Sequence, residues 1–213
     1  MIPMMSKYFL PFLLTTLLLA MPSVGVAQRS VDEVFLSMPQ DFVPFLSKEA
    51  RMDMVDLFRS GLEAKVSNDF DGTSVLNGMT ERGFDMMPTQ NSMLSVRLLQ
   101  TTKKDTLFAV VRTLRVPVAD CRLTVFDSEW KPVKVGVKMV LSDFLNLSDE
   151  ETVAQWCARL SPLHYEMKWL EGTSDLSVSP SIDALDIDSK KELRPLLRCR
   201  TWHWNGTDFE LMP

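Results

Sequence analysis

The stretch Ser92–Val116, SMLSVRLLQTTKKDTLFAVVRTLRV, decides how the chain folds. Two runs rich in β-branched and large apolar residues flank the polar break TTKKD at Thr101–Asp105, which is the layout of a long β-hairpin. The second run, TLFAVVRTL at Thr106–Leu114, is apolar at odd and even positions alike. A strand with one wet face alternates apolar and polar side chains; a strand without alternation has both faces covered. Thr106–Leu114 therefore predicts a central strand with a packing layer above it and another below.

Working outward, strand-like periodicity extends from Glu63 to Val135, and CRLTVFDSEWKPV repeats the hairpin pattern with a turn near Asp127–Ser128. Before it stand two helical segments. Ser30 can cap SVDEVFLSMP, with Asp32 and Glu33 in the electropositive first turn. Ser47 can cap KEARMDMVDLFRSGL, where Met52, Val55, Phe58 and Leu62 fall at helical spacing and Gly61 supplies a terminator. After it, SDEETVAQWCARL reads as a helix capped by Ser148, with Glu151 in the capping-box position and a stripe of Val153, Trp156 and Leu160. HYEMKWLEG and DLSVSPSI read as strands, SKKELRPLL as a short helix, and CRTWHWNGTDFELM as a last hairpin. A two-residue turn at Asn205–Gly206 would pair His203 with Asp208 and Trp202 with Phe209, placing aromatics on one face and His203, Asp208 and Glu210 on the other. The fold class is α+β: antiparallel meanders and hairpins covered by helices. Helix followed by strands occurs twice, over residues 28–140 and 141–213, as two sub-lobes or one continuous sheet; the absence of a flexible linker favours a single domain over residues 28–213.

The first 27 residues read as a leader outside that domain. Lys7 precedes the apolar run YFLPFLLTTLLLA, Tyr8–Ala20, and Gly25 and Ala27 stand at the −3 and −1 positions of a cleavage site before Gln28. The run is short for a bilayer span of ~20 residues, and Pro11, Thr15 and Thr16 weaken it, so a signal peptide is favoured over a retained anchor. No second apolar span follows, so no stable membrane span is expected once the leader is removed. The chain has 23 basic and 28 acidic residues, and losing Lys7 makes its formal net charge of −5 more negative still. That balance disfavours nucleic acid and anionic membrane surfaces as partners. Cys121, Cys157 and Cys199 are widely spaced; one pair could join in an oxidising compartment, but three buried small apolar side chains is the favoured reading.

Few residues are arranged for chemistry. VSNDFDGTSVLNGM, Val66–Met79, begins like a calcium loop, with Ser67, Asp69, Asp71 and Gly72 at positions one, three, five and six. Position twelve is Gly78 where the loop needs a bidentate glutamate, and position nine is Val75, so a turn around Asp71–Gly72 is the better reading. Cys199 and His203 on one strand lie ~13 Å apart, too far to share a zinc ion. His203 beside Asp208 reads as a cross-strand polar pair, since no nucleophile turn accompanies it. Neither a metal nor another cofactor is expected, and Trp130, Trp169, Trp202 and Trp204 read as core.

MPQDFVPFLSKEARMDMVDLFRSGLEAKVSNDFDGTSVL resembles a family of exported proteins of Bacteroidetes-type Gram-negative bacteria, a domain of unknown function. The shared pattern falls on Met38–Pro39, Pro44, Arg51, Asp53, Asp56, Asn68, Gly72 and Ser74, with Phe45 where the family has leucine. TLRVPVADCRLTVFDSEWKPV and WHWNGTDFEL are similar to the family as well; Cys121 stands where serine is commoner, which argues against a required disulfide. The resemblance implies the periplasm or envelope and imports no activity. It also implies an O-glycan acceptor in Asp105–Thr106–Leu107, on Thr106. The expectation is thus an exported envelope protein that binds or assembles with another envelope component. The competing readings are a carboxylate-dependent hydrolase and a small-ligand carrier. The residues carry no signature of oligomeric state.

Overall fold

The computed structural model describes residues 29–115, 118–160 and 164–213. Helix α1, Val31–Ser37, opens with a reciprocal capping box: Ser30 Oγ accepts from Glu33 N at 3.2 Å while Glu33 Oε2 accepts from Ser30 N at 2.8 Å. Helix α2, Lys48–Arg59, starts at Ser47, whose Oγ accepts from Ala50 N. It closes at Gly61, φ 72°, where Gly61 N donates to Phe58 O and Leu62 N to Leu57 O. The buried arc of α2 differs from the expected stripe. Met52 and Leu62 face water, and the buried positions are Arg51, Met54 and Val55. The arc is turned because Arg51 reaches inward to the end of α1.

Seven strands then form one antiparallel meander in sequence order: β1 Lys65–Ser67, β2 Thr73–Thr80, β3 Gly83–Thr89, β4 Ser92–Gln100, β5 Thr106–Leu114, β6 Asp120–Phe126 and β7 Pro132–Val133. The hairpin read from the sequence pairs along its whole length, from Ser92↔Leu114 to Gln100↔Thr106. Alternate residues of β5 feed two different cores. Phe108 and Val110 join Val34 and Phe35 of α1, Met54 and Val55 of α2, and Phe84, Met86 and Val96 of the sheet. Ala109 and Val111, on the opposite face, join Leu99, Cys121 and Val125 and a set of side chains from later in the chain.

That later set comes from a second antiparallel sheet of four strands, β8 His164–Trp169, β9 Leu176–Ser181, β10 Arg200–Trp204 and β11 Phe209–Leu211, in the order β11-β10-β9-β8. Met167, Leu176, Val178, Trp202, Trp204 and Phe209 pack on the β5 face. Helices α3, Glu150–Arg159, and α4, Ile187–Leu193, close a third cluster with Leu145, Trp156, Leu160, Ile182 and Leu193. The layers are therefore helices, seven-stranded sheet, four-stranded sheet.

Three local expectations change. Asp149 caps α3 in place of Ser148, its Oδ2 accepting from Thr152 N at 2.7 Å. A carboxylate is the stronger acceptor at a helix amino end, and hydrogen bonding to Thr152, through its side chain first and its backbone N–H second, holds the Asp149 pKa below its ordinary value. The last hairpin pairs Trp202↔Leu211, His203↔Glu210 and Trp204↔Phe209, two residues from the expected register. Asn205 Oδ1 collects Thr207 N, Thr207 Oγ1 and Asp208 N, so the connection becomes a four-residue loop that consumes Asp208. A shift of two preserves the faces, and Trp202, Trp204 and Phe209 are all buried. All three cysteines are free, and of these Cys121 is buried, Cys157 half-buried and Cys199 exposed, so the expectation of three buried thiols holds for Cys121 alone.

Gly83 sits at the β2–β3 turn with φ 152°, and a Cβ there would lie 1.9 Å from Val96 O, a backbone atom of the paired strand. Gly78, in the bulge of β2, has nothing within 4 Å of the same position. Urea denaturation should show Gly83→Ala losing about 3 kcal/mol or more, while Gly78→Ala stays within about 1 kcal/mol of the parent.

Candidate functional site

The four-stranded sheet covers only part of the face beneath it. Along β4, Met93, Ser95, Arg97 and Leu99 point to that face; Leu99 is buried in the shared core, and the other three line an open cleft of about 580 Å³. Asp85, Thr113 and Arg115 complete the floor, and Glu166–Trp169 of β8 form the wall. Arg97 is fixed by a two-pronged pair with Asp85, at 2.9 Å between Nη2 and Oδ2 and 3.2 Å between Nη1 and Oδ1. The paired planar groups are partly buried, which makes them a rigid part of the floor. Arg115 is differently placed: among the described residues its guanidinium donates to Met93 Sδ at 3.7 Å, a weak acceptor. Lys168 and Glu166 meet at 3.8 Å on the surface, a loose pair that adds little stability.

The wall is a strand edge. In an antiparallel pair, residues alternate between exchanging both backbone bonds and pointing both groups away. Leu170 N donates to Asp175 O, so the bonded set of β8 is His164, Glu166 and Lys168, facing β9. Tyr165 stands opposite Pro180, which has no N–H, in agreement with that parity. Tyr165, Met167 and Trp169 therefore direct their backbone groups away from β9. Met167 N donates to Cys121 Sγ at 3.4 Å, which confirms the direction and shows that this edge looks towards the cleft floor.

A second groove of about 600 Å³ lies at the other side of the sheet junction, lined in part by Glu81, Arg82, Asp175 and His203. His203 Nδ1 and Asp175 Oδ1 are 2.7 Å apart. The expected partner, Asp208, is displaced because it belongs to the loop that Asn205 organises. Arg82 Nη1 donates to Gly172 O, tying the β2–β3 turn to the β8–β9 loop that carries Asp175.

Arg51, Asn68, Gly72 and Ser74 of the recognised pattern build scaffold. Arg51 is 3 % exposed and donates through Nη1 to Phe35 O and Met38 O at the carboxyl end of α1. Burial lowers its pKa below the ordinary value, and the charge is held by those backbone carbonyls and by Gln40 Oε1, which accepts from Nη2 at 3.5 Å. Gln40, which the sequence did not single out, turns its Nε2 to Val43 O, Pro44 O and Leu46 O and so shapes the segment before α2. Asn68 Oδ1 accepts from Phe70 N and Gly72 N, both at 3.1 Å, and its Nδ2 donates to Ser74 Oγ and Pro88 O. The stretch Val66–Met79 is thus the end of β1, a turn over residues 68–72 and most of β2, with Ser67 opposite Thr73 and Asp71 at φ 54°. Asp53 and Asp56 lie on the exposed face of α2. Thr106 opens β5, half-buried, with its Oγ1 accepting from Gln100 Nε2 at 3.1 Å.

The cleft residues Arg97 and Arg115 were not found by sequence reasoning, and Trp169, read there as core, is half-buried and lines the cleft wall. One signal for them existed. Ser95 and Arg97 are polar on the alternation that Leu99 shares, inside a hairpin whose other strand is apolar on both sides. Polar side chains there mark the part of a covered face that its cover does not reach.

The architecture is an α+β fold in which one antiparallel sheet is flanked by helices on one face and a smaller sheet on the other. The chain belongs to the family described as protein of unknown function (DUF3256), whose model matches residues 23–209. Among solved structures it is similar to one described as a domain of an uncharacterized protein from Porphyromonas gingivalis W83, with 21% identity and a TM-score of 0.71, over 85% of this chain and 96% of that one. At that identity the likeness shows the fold alone. No curated protein matches the chain.

If the shared pattern reports scaffold, the members of the pattern should separate by stability. Arg51→Met removes the donor to Met38 O and the second donor to Phe35 O, which keeps Met38 N, and should cost about 2–3 kcal/mol in urea denaturation. Asp53→Ala and Asp56→Ala should each stay within about 0.5 kcal/mol of the parent.

Proposed function

We propose that the protein is exported to the periplasm or envelope and acts there by binding a partner in the intersheet cleft. Export rests on the leader: Lys7, the apolar run Tyr8–Ala20 and the small residues Gly25 and Ala27. These first residues lie outside those described, and the family match begins at residue 23, beyond the apolar run. Binding rests on one observation above others. A cleft of about 580 Å³ is walled by two sheets in which Arg97 is held by Asp85 and Trp169 packs near Phe209, so part of its lining is already ordered. A partner entering such a cleft meets side chains that have already lost their freedom, which limits the ordering cost of association. Arg115 supplies a cation with donors to spare at the cleft floor.

The test is capture from envelope extracts of the native organism, with the purified protein as bait and the Arg115→Glu/Lys168→Glu double variant beside it. A stoichiometric partner held by the parent and lost by the variant is the expected result. Equal capture by both proteins would move the binding surface away from the cleft.

A further inference from the structure

Resting on that reading of the cleft, we infer that its occupant is an extended polypeptide segment, which adds to the edge of β8 left unpaired among the described residues as a fifth strand of the smaller sheet and presents a carboxylate to Arg115. Three observations carry this. First, the parity of the β8–β9 ladder turns the backbone groups of Met167 and Trp169 towards the cleft. Of these groups, Met167 N–H is held by a thiol sulfur at 3.4 Å, an acceptor that a peptide carbonyl outcompetes. Second, the cleft runs along this edge: Glu166, Met167, Lys168 and Trp169 line it as consecutive residues, and its floor is a sheet face with the small polar side chains Ser95 and Thr113. A chain lying there would have its backbone bonded on one side and its side chains alternating between the floor and water, which is the geometry of strand addition.

Third, the charges divide into used and unused. Arg97 is neutralised by Asp85, and Lys168 faces Glu166 across 3.8 Å. Among the described residues the Arg115 guanidinium touches a thioether, and although the acid Asp183 also lines the cleft, no ion pair joins the two there, so Arg115 is the cation in the cleft with the most to gain from a carboxylate. An unpaired edge is commonly guarded against pairing by charged side chains along it. On β8 those charges sit on Glu166 and Lys168, the residues whose backbones face β9, while the residues that present free backbone groups are the uncharged Tyr165, Met167 and Trp169. The edge is charged on its surface and open along its ladder.

The experiment titrates the nitrogen-15-labelled protein with a pool of acetylated, amidated heptapeptides that has Glu fixed at the centre and random residues elsewhere. Two comparison pools carry Lys at the centre or methyl groups on alternate backbone nitrogens. The amide signals of Met167 and Trp169 should shift and their hydrogen exchange slow with the Glu pool. The N-methylated pool, the Lys pool, and the Glu pool on Arg115→Glu should each bind about tenfold more weakly. Equal binding by the N-methylated pool would overturn strand addition. Shifts at Thr113 and Arg115 without any at Met167 and Trp169 would also overturn it, while leaving a cleft that binds something else. No shift anywhere in the cleft would overturn this inference and the binding reading together.

Discussion

The centre of β5, Phe108–Val111, has no wet face, and the rest of the molecule is arranged around that constraint. Phe108 and Val110 demand a cover on one side, Ala109 and Val111 on the other, and all four are at most 1 % exposed. Burying an apolar side chain of this size is worth about 1.5–3 kcal/mol relative to leaving it in water, so neither cover is dispensable. The helices α1 and α2 serve the first face and the four-stranded sheet serves the second. Each cover is pinned by a tryptophan with a polar handle. Trp130 packs against Phe42 and Phe108 and donates through Nε1 to Ser37 Oγ at 3.2 Å, joining the β6–β7 turn to α1. Trp204 donates through Nε1 to Gln100 O at 2.7 Å, joining β10 to the end of β4. The turns follow: Gly206 O accepts from Thr102 N, so the tips of two hairpins from different sheets are bonded together.

The cleft is a consequence of unequal covers. A four-stranded sheet laid on a seven-stranded one leaves part of the larger face uncovered, and the sequence anticipates it by placing Ser95, Arg97, Thr113 and Arg115 where the cover ends. Arg97 and Asp85 satisfy each other, which keeps that region from being a cost to the fold. Among the described residues, the backbone edge of β8 and the guanidinium of Arg115 leave bonding capacity that opens into this cleft. Binding capacity here arises from the mismatch in size of two layers.

The parts of this arrangement that rest on local rules were legible in the residues. Apolar periodicity located the strands, and Ser30, Ser47 and Gly61 marked helix ends, because caps and turns are set by residues a few positions apart. The burial of β5 on both faces was legible from its lack of alternation. Where a side chain competes with the backbone, the local rule failed: Asn205 rebuilds its own loop and moves the register of the last hairpin by two. Arg51 and Asn68 were visible as members of a pattern, but their work depends on α1 and on Pro88, which the sequence does not place beside them. The cleft was least legible, since it depends on how far one sheet reaches across another.

The central claim is that the two sheets share a core and stand or fall together through β5. Native-state amide hydrogen exchange under increasing urea tests it directly. The amides of Val110 in β5, Val178 in β9 and Trp202 in β10 should open with one common free energy, agreeing within about 1 kcal/mol, as members of a single cooperative unit do. If Val178 and Trp202 exchange through an opening several kcal/mol cheaper than that of Val110, the smaller sheet folds and unfolds on its own, and the shared core is not what holds the molecule together.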